Sequence, residues 1–278
     1  MKVFGQILLT IMLALFLVAC TKNAGQASAP QPAKPAPPAF SHKLLDEALA
    51  QYVNKDGWVD YQSWQKDRAK LDQYLATLAT AKPQEFASDA ERLAFWINSY
   101  NAFTVADVLT DVYGKAKSVQ EVKGFFKQKK HTIVGEALTL DEIEKRGRDL
   151  KDPRIHFAIN CASTSCPKLQ PFAYNGVQLD FQLTKVAREF LGDSGRGMNY
   201  DPGRNWVYLS PIFKWYAADF TGTNSVVARV KAETSGAELL EVAKIYLPSN
   251  VTQFLAEKKM AVKWLTYDWS LNALETHR

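Results

Sequence analysis

A long helix that is apolar on nearly every side is the feature of the sequence that most restricts the fold. Residues 89–113 read DAERLAFWINSYNAFTVADVLTDVY and end just before Gly114. Ser88 precedes the run and Glu91 lies three residues after it, which is the pattern of a helix-capping box. A helix without a polar face is stable in water only when other elements cover it on all sides. The sequence therefore predicts a buried central helix.

The segments around this helix change from helical to mixed patterns along the chain. The predicted helices are 42–53, 71–78, 139–150, 178–191, 211–217 and pieces of 223–247. The predicted strands are 58–61, 130–134, 154–160, 206–209 and 261–267. Long helices come first and strands mix with helices later, without an internal repeat. We predict one α+β domain over residues 41–278, with a buried central helix and a small mixed or antiparallel sheet.

The N-terminal sequence MKVFGQILLTIMLALFLVAC is typical of an export signal. Lys2 precedes an uncharged apolar run over residues 7–19, which is shorter than the roughly 20 residues that a membrane-spanning helix needs. The run ends in LVAC, which resembles a bacterial lipobox, where the cysteine is lipidated and becomes the mature N-terminus. We predict a lipoprotein signal peptide over residues 1–19 and lipidation of Cys20. An ordinary signal peptide or an uncleaved anchor are the alternatives.

Residues 20–40 are predicted to be a spacer between the lipid and the folded domain. Five prolines lie among Ala, Gln and Lys in this segment, a composition that favours extended chain over a packed core. Thr21 follows the cysteine, so an Asp signal for inner-membrane retention is missing from that position. We therefore expect a protein that contacts the membrane through its lipid, in the outer membrane and facing the periplasm.

The charge distribution argues against a nucleic-acid partner. The net charge is +5, but residues 1–40 contain three lysines and no acidic residue, which leaves +2 for residues 41–278. Nucleic-acid-binding domains concentrate Lys and Arg on one face. We expect no nucleic-acid partner.

The densest group of reactive side chains is HFAINCASTSCP at residues 156–167. If Cys20 is lipidated, Cys161 and Cys166 are the only cysteines left, and an oxidising compartment favours a disulfide between them. A metal site with His156 and both cysteines as ligands, and His131 as a fourth, is a second interpretation. It lacks the paired spacing of zinc ligands, so we expect neither a metal nor another cofactor.

A cysteine nucleophile is the third interpretation of the same cluster. Cys166 precedes Pro167, and proline often occupies the first position of a helix, where the helix dipole lowers the pKa of a thiol. His156 would act as the base, and Asn160 or Asp219 would orient it.

Asn98 and Asn101 interrupt the apolar surface of the central helix, three residues apart and so on one face. Buried amides most often bind neighbouring backbone groups. The alternative is that they line a site, in which Asn98 helps to bind an oxyanion and Asn101 contacts the ligand.

Four motifs in this order resemble the domain of unknown function 547 family: residues 92–102, 154–167, 216–220 and 267–272. The resemblance extends over about 44–272. It implies a family of bacterial secreted and lipid-anchored proteins, also found appended to plant proteins, without an established activity. A looser similarity is to papain- and transglutaminase-like folds, where a buried helix precedes the strand that bears the catalytic His. Their helix begins with the cysteine, whereas residues 89–113 contain none. Either Cys166 has taken over that role or catalysis has been lost.

Two functions follow from these patterns. The first is a thiol-dependent hydrolase or acyl transferase that acts on peptide or peptidoglycan material of the cell envelope. Cys166, His156, Asn160 and Asn98 would be catalytic, and Asn101, Cys161 and Asp219 would bind the ligand. The second is a non-catalytic binding or scaffold lipoprotein with a structural Cys161–Cys166 disulfide. The sequence leaves the oligomeric state open.

Overall fold

The central helix α4, Asp89–Asp107, lies at the middle of the fold. The computed structural model describes residues 39–222, 235–258 and 260–277. Ser88 caps α4, and its side chain accepts the N–H of Glu91 at 3.1 Å. Every residue from Leu93 to Asp107 is buried, and the helix continues into a π-helical turn, Val108–Val112. The prediction of a buried central helix is confirmed.

Helices cover α4 on several sides. The N-terminal helices are α1 Lys43–Tyr52, α2 Tyr61–Lys66 and α3 Ala69–Leu78, and later come α5 Leu140–Arg148 and α6 Leu179–Gly192. Helices α3, α5 and α6 pack against α4. Gly147 on α5 permits close packing against Trp96 on α4 and against Ile155. A Cβ at this position would lie 2.6 Å from Ile155 Cδ1 and 3.3 Å from Trp96 Cβ. A larger residue would push α5 away from α4.

Two small sheets complete the architecture. Strands β1 Lys130–Ile133 and β2 Glu136–Thr139 form an antiparallel hairpin. Val134 and Gly135 at its turn both have positive φ, 51° and 77°, as a tight type I′ turn requires. The second sheet has the order β3–β4–β5, with β3 Met198–Asp201 antiparallel to β4 Trp206–Leu209 and β4 parallel to β5 Ala261–Trp264.

Short helices surround the second sheet: α7 Pro211–Trp215, α8 Ala217–Thr221, α9 Gly236–Lys244 and α10 Ser249–Glu257. Helix α9 packs against β5 and α8. The described residues belong to one compact unit, Pro37–Arg278, and the predicted α+β class with a small mixed sheet is confirmed. No helix within the described ranges is long and apolar enough to cross a bilayer.

The predicted strand over 154–160 is wrong. Residues Pro153–Phe157 form a 3₁₀ helix, because Pro153 occupies its first position and the Asp152 side chain accepts the N–H of Arg154 at 3.0 Å. The predicted strand over 58–61 is reduced to isolated bridges at Val59.

Several predicted segments cannot be compared with the structure. The predicted signal peptide, most of the spacer and the stretch 223–234 lie outside the described residues.

Candidate thiol site

Two asparagines shape the loop that holds both cysteines, residues 160–167, here called the cysteine loop. Asn101 on α4 accepts the N–H of Asn160 at 2.8 Å and donates its amide to Ala158 O at 3.0 Å. Asn160 closes the loop on itself, since its Nδ2 donates to Pro167 O at 2.7 Å and its Oδ1 accepts the N–H of Ala162 at 2.9 Å. The loop therefore has a fixed shape next to the central helix.

The C-terminal segment 267–272 runs along the cysteine loop. The N–H of Thr164 donates to Ser270 O at 2.8 Å, and the N–H of Asn272 donates to Ala162 O at 3.1 Å. This pairing brings the Tyr267 hydroxyl to 3.2 Å from the sulfur of Cys161. Two segments that lie about a hundred residues apart in the sequence thus form one site.

The two cysteines lie side by side but in different surroundings. Cys161 is half-buried, whereas Cys166 is 5% exposed. Their sulfur atoms are 2.7 Å apart, and both are free thiols in the structure. The N–H of Cys161 donates to Cys166 Sγ at 2.9 Å. The structure therefore does not contain the predicted disulfide, although it places the two sulfurs together.

Hydroxyl groups surround the Cys161 sulfur. Ser163 Oγ lies 3.1 Å from it, and Ser163 Oγ and Tyr267 OH lie 3.0 Å from each other. Burial raises the pKa of Cys161, but hydrogen bonds from Cys166, Ser163 and Tyr267 outweigh this effect and lower the pKa to about 7. Cys161 is therefore partly in the thiolate form at neutral pH.

Cys166 has the opposite character. Burial raises its pKa well above the ordinary value for a thiol, and the neighbouring Cys161 raises it further. Cys166 is therefore a protonated thiol at neutral pH. The sequence-based assignment of the low pKa to Cys166 does not match this arrangement, because Pro167 does not begin a helix.

His156 is buried beside a partly exposed ion pair of Asp219 and Arg148. Its Nε2 lies 2.8 Å from Asp219 Oδ2, and Arg148 Nε donates to the same oxygen at 2.6 Å. The Tyr216 ring stacks on the imidazole, with ring centroids 3.9 Å apart. Burial lowers the pKa of His156 more than Asp219 raises it, so the ring is neutral at pH 7.

The neutral tautomer of His156 follows from these contacts. Asp219 stays ionised because hydrogen bonds from His156 and Arg148 hold its pKa well below the usual range, against the effect of burial. Nε2 therefore bears the proton of the neutral ring and donates a hydrogen bond to Asp219. Nδ1 is buried and has no hydrogen-bond partner among the described residues, so its lone pair is available as a base.

A cavity of about 260 Å³ connects these groups. Its walls include Cys161, Cys166 and His156, together with the carboxylate of Glu144. Further lining residues are Tyr100, Gln120, Phe126, Lys127, Asp141, Ile159, Pro167, Ile212, Trp215, Tyr216, Tyr267 and Trp269. The cavity thus combines a reactive thiol, a neutral imidazole and both signs of charge.

Glu144 is a member of the site that the sequence reasoning missed. It is 8% exposed, and burial raises its pKa to about 7 although Tyr216 donates a hydrogen bond to it. The signal was present in the pattern of α5, whose buried residues are Leu140, Ile143, Glu144 and Gly147. A glutamate on the core-facing side of a helix indicates a buried carboxylate with a special environment.

The other predicted site residues have different surroundings. Asn98 binds the backbone of Tyr174 with both ends of its amide, at 2.7 and 2.9 Å. Asn98, Asn101 and Asn160 thus all hold backbone groups, and they are not part of the cavity wall. His131 lies 3.0 Å from Asp107. In the part of the chain that the structure describes, no three His, Cys, Asp or Glu side chains come together to hold a metal ion.

The fold and the site define an α+β protein with a buried central helix and a two-thiol cavity. Residues 83–191 match the family described as "Protein of unknown function, DUF547". The matched segment includes α4, His156 and the cysteine loop, so the match supports the family resemblance of the sequence over this part of the chain. Comparisons with curated proteins and with solved structures gave no significant match. The papain-like similarity stays a prediction.

Proposed function

We propose that the protein is a thiol-dependent hydrolase or acyl transferase with Cys161 as its nucleophile. The observation behind the proposal is the environment of Cys161, which lines the cavity and whose sulfur lies beside two hydroxyls that help to lower its pKa to about 7. A thiolate is the reactive form of cysteine. Cys166 is less suited to this role, because it is buried and protonated.

His156 is proposed as the general base and Asp219 as the residue that orients it. His156 lines the same cavity as Cys161, and its buried Nδ1 has no hydrogen-bond partner among the described residues. The nucleophile–base–orienter scheme needs an acceptor nitrogen on one side of the imidazole and a carboxylate on the other. Asp219 fulfils the second condition at 2.8 Å, whereas the Asn160 amide is occupied by Pro167 and Ala162.

The reaction would proceed in two steps. His156 Nδ1 takes the proton of the Cys161 thiol, and the sulfur attacks the carbonyl carbon of an amide or ester. The bond to the leaving group then breaks while His156 transfers that proton to the leaving group. Water or an acceptor amine then attacks the thioester, and Cys161 is released. The Tyr267 hydroxyl loses its thiolate partner as the thioester forms, so it can donate to the carbonyl oxygen in place of the Asn98 amide predicted from sequence.

The rim of the cavity supports peptide or peptidoglycan material as the substrate. Trp215 and Trp269 stack with ring centroids 5.8 Å apart, and Tyr267 lies within 4.9 Å of the Trp215 ring. Trp215 is 49% exposed. Flat aromatic faces bind the apolar faces of rings and side chains, and Lys127 and Asp141 offer charges for the polar parts of an envelope peptide.

The proposed location is the cell envelope. The lipobox-like sequence at Cys20 and the proline-rich spacer support a lipid-anchored protein that faces the periplasm, in the outer membrane. Substrate attached to the envelope would then lie within reach of the domain.

A binding or scaffold lipoprotein with a structural disulfide is the second candidate. The 2.7 Å between the two sulfurs favours it, since a small displacement would allow a bond. In that case the cavity would bind envelope material without turnover, and loss of the thiols would leave binding intact.

The test is hydrolysis of p-nitrophenyl acetate and release of products from purified peptidoglycan fragments by the full-length protein in detergent. We expect Cys161→Ala and His156→Asn to abolish turnover. Cys166→Ala should keep turnover within about tenfold of the natural rate, because only one hydrogen bond to the sulfur is lost. Thr164→Val is the matched control, since this exposed hydroxyl binds Ser270 and is not part of the cavity. Undiminished turnover by Cys161→Ala would contradict the proposal.

A further inference from the structure

The unequal surroundings of two adjacent thiols are not needed for acyl transfer. A hydrolase of the proposed kind uses one sulfur, yet the cavity wall contains two, 2.7 Å apart. A disulfide with a purely structural role would be expected away from a reactive cavity. Here both cysteines line the cavity, but Cys161 is half-buried with two hydroxyls around its sulfur, whereas Cys166 is 5% exposed.

We propose that Cys161 and Cys166 form a redox-active pair that reduces disulfide-bonded peptides by thiol–disulfide exchange. Cys161 is the attacking thiol, because the residue is half-buried, lines the cavity and has two hydroxyls beside its sulfur. Cys166 is the resolving thiol, because it is only 5% exposed and its sulfur lies 2.7 Å from that of Cys161. The inference goes beyond the proposed acyl transfer and does not depend on it.

The exchange proceeds in two balanced steps. The Cys161 thiolate attacks one sulfur of the substrate disulfide, forms a mixed disulfide and releases the other substrate sulfur as a thiolate, which takes a proton from solvent. Cys166 then loses its proton to solvent and attacks Cys161 Sγ, which forms the Cys161–Cys166 disulfide and releases the second substrate thiol. The substrate gains two electrons and two protons, and the protein loses them. A thiol of low molecular mass would restore the reduced pair by the reverse exchange.

The backbone assists the second step. The N–H of Cys161 donates to Cys166 Sγ at 2.9 Å, and this hydrogen bond strengthens as negative charge develops on the sulfur. The N–H of Cys166 donates to Ser163 O at 3.1 Å, which closes a turn between the two cysteines. The sulfurs therefore meet without a rearrangement of the loop.

The test uses the reduced full-length protein in detergent, oxidised glutathione as the probe disulfide, and peptide mass mapping to assign each sulfur. The natural protein should lose two hydrogens and form the Cys161–Cys166 disulfide while two glutathione thiols are released. Cys166→Ser should stop at the first step, with one glutathionyl group on Cys161. Cys161→Ser should react at least about tenfold more slowly at pH 7, because the remaining thiol, Cys166, is 5% exposed and its burial raises its pKa.

Three results would overturn the inference. They are a natural protein that does not form the disulfide, a Cys166→Ser variant without a mixed disulfide, and a pair that is already oxidised in the isolated protein and resists excess thiol. Ester hydrolysis by the same preparations distinguishes this inference from the proposed function. If acyl transfer is wrong, no preparation hydrolyses the ester, while the pattern of mixed disulfides is unaffected.

Discussion

The hydroxyl groups around Cys161 offer the most quantitative prediction. Ser163→Ala and Tyr267→Phe each remove one hydroxyl within 3.2 Å of the Cys161 sulfur. A hydrogen bond to a charged group stabilises it by roughly 1.5–3 kcal/mol, and 1.36 kcal/mol corresponds to one pKa unit. Sulfur is a weak acceptor, so we take the lower end of this range. Ser163 Oγ donates to Tyr267 OH at 3.0 Å, so the two hydroxyls are coupled and their effects do not simply add. Each substitution should raise the pH midpoint of Cys161 ionisation by about one unit, and the double variant by less than about two.

The assay is the rate of alkylation of Cys161 by iodoacetamide as a function of pH, with the modified peptide quantified by mass spectrometry. The midpoint is a better readout than the rate at one pH. At pH 6 the thiolate fraction falls about tenfold for each unit by which the pKa of the thiol rises. The thiolate of a thiol with a higher pKa is also more nucleophilic, so the alkylation rate falls only about threefold per unit. The natural protein should have its midpoint at about pH 7.

Thr164→Val is the control in this series. Its hydroxyl binds Ser270 O at 3.1 Å and makes no contact with the sulfur, so its midpoint should equal that of the natural protein. Two results would contradict the role of these hydroxyls. One is an ionisation midpoint of Cys161 in the natural protein near that of an ordinary thiol, and the other is a double variant with the same midpoint as the natural protein.

Three further predictions concern stability and substrate binding. The pKa of Glu144 is raised from 4.5 to about 7, so between these pH values the folded protein binds more protons than the unfolded chain and loses stability as the pH rises. Between pH 4 and pH 8, the free energy of unfolding of Glu144→Gln should therefore rise by up to about 3 kcal/mol relative to that of the natural protein. Urea unfolding at each pH measures this difference. Equal pH dependence of the two proteins would contradict the buried-carboxyl assignment. Asn160→Ala removes the hydrogen bonds to Pro167 O and to the N–H of Ala162, and it should lower the free energy of unfolding by about 2–5 kcal/mol in the same assay. The control Asn250→Ala, at an exposed position, should change it by less than about 0.5 kcal/mol. Similar values for the two variants would refute the role of Asn160. Trp215→Ala should raise KM for peptidoglycan fragments severalfold and leave kcat nearly unchanged. The control is Phe181→Ala, which should change neither constant, because Phe181 is 70% exposed and outside the cavity wall. An unchanged KM in Trp215→Ala would show that the aromatic rim does not bind the substrate.

The fold was largely predictable because its main element has a strong local signal. The apolar surface of residues 89–113 and the Ser88 cap were sufficient to predict the position of α4 and its burial. The segment 154–160 was not predicted correctly, because its alternation of side chains is compatible with a strand. Pro153 and the Asp152 cap instead favour a 3₁₀ helix over Pro153–Phe157.

The site was predictable as a cluster but not in its details. The concentration of His156, Cys161 and Cys166 in twelve residues pointed to the correct loop. The sequence could not show which cysteine has the lower pKa, because that depends on the pairing of the loop with the distant segment that contains Tyr267. Glu144 was missed for a similar reason, since its environment is created by contacts between helices.

The location of an acyl group after reaction tests the central claim most directly. The full-length protein is mixed with p-nitrophenyl acetate, quenched with acid during turnover and mapped by mass spectrometry. We expect an acetyl thioester on Cys161 and none on Cys166, and a longer-lived thioester in His156→Asn. Turnover of the ester without acetylation of Cys161, or with the acetyl group on Cys166, would contradict the assignment of Cys161 as the nucleophile.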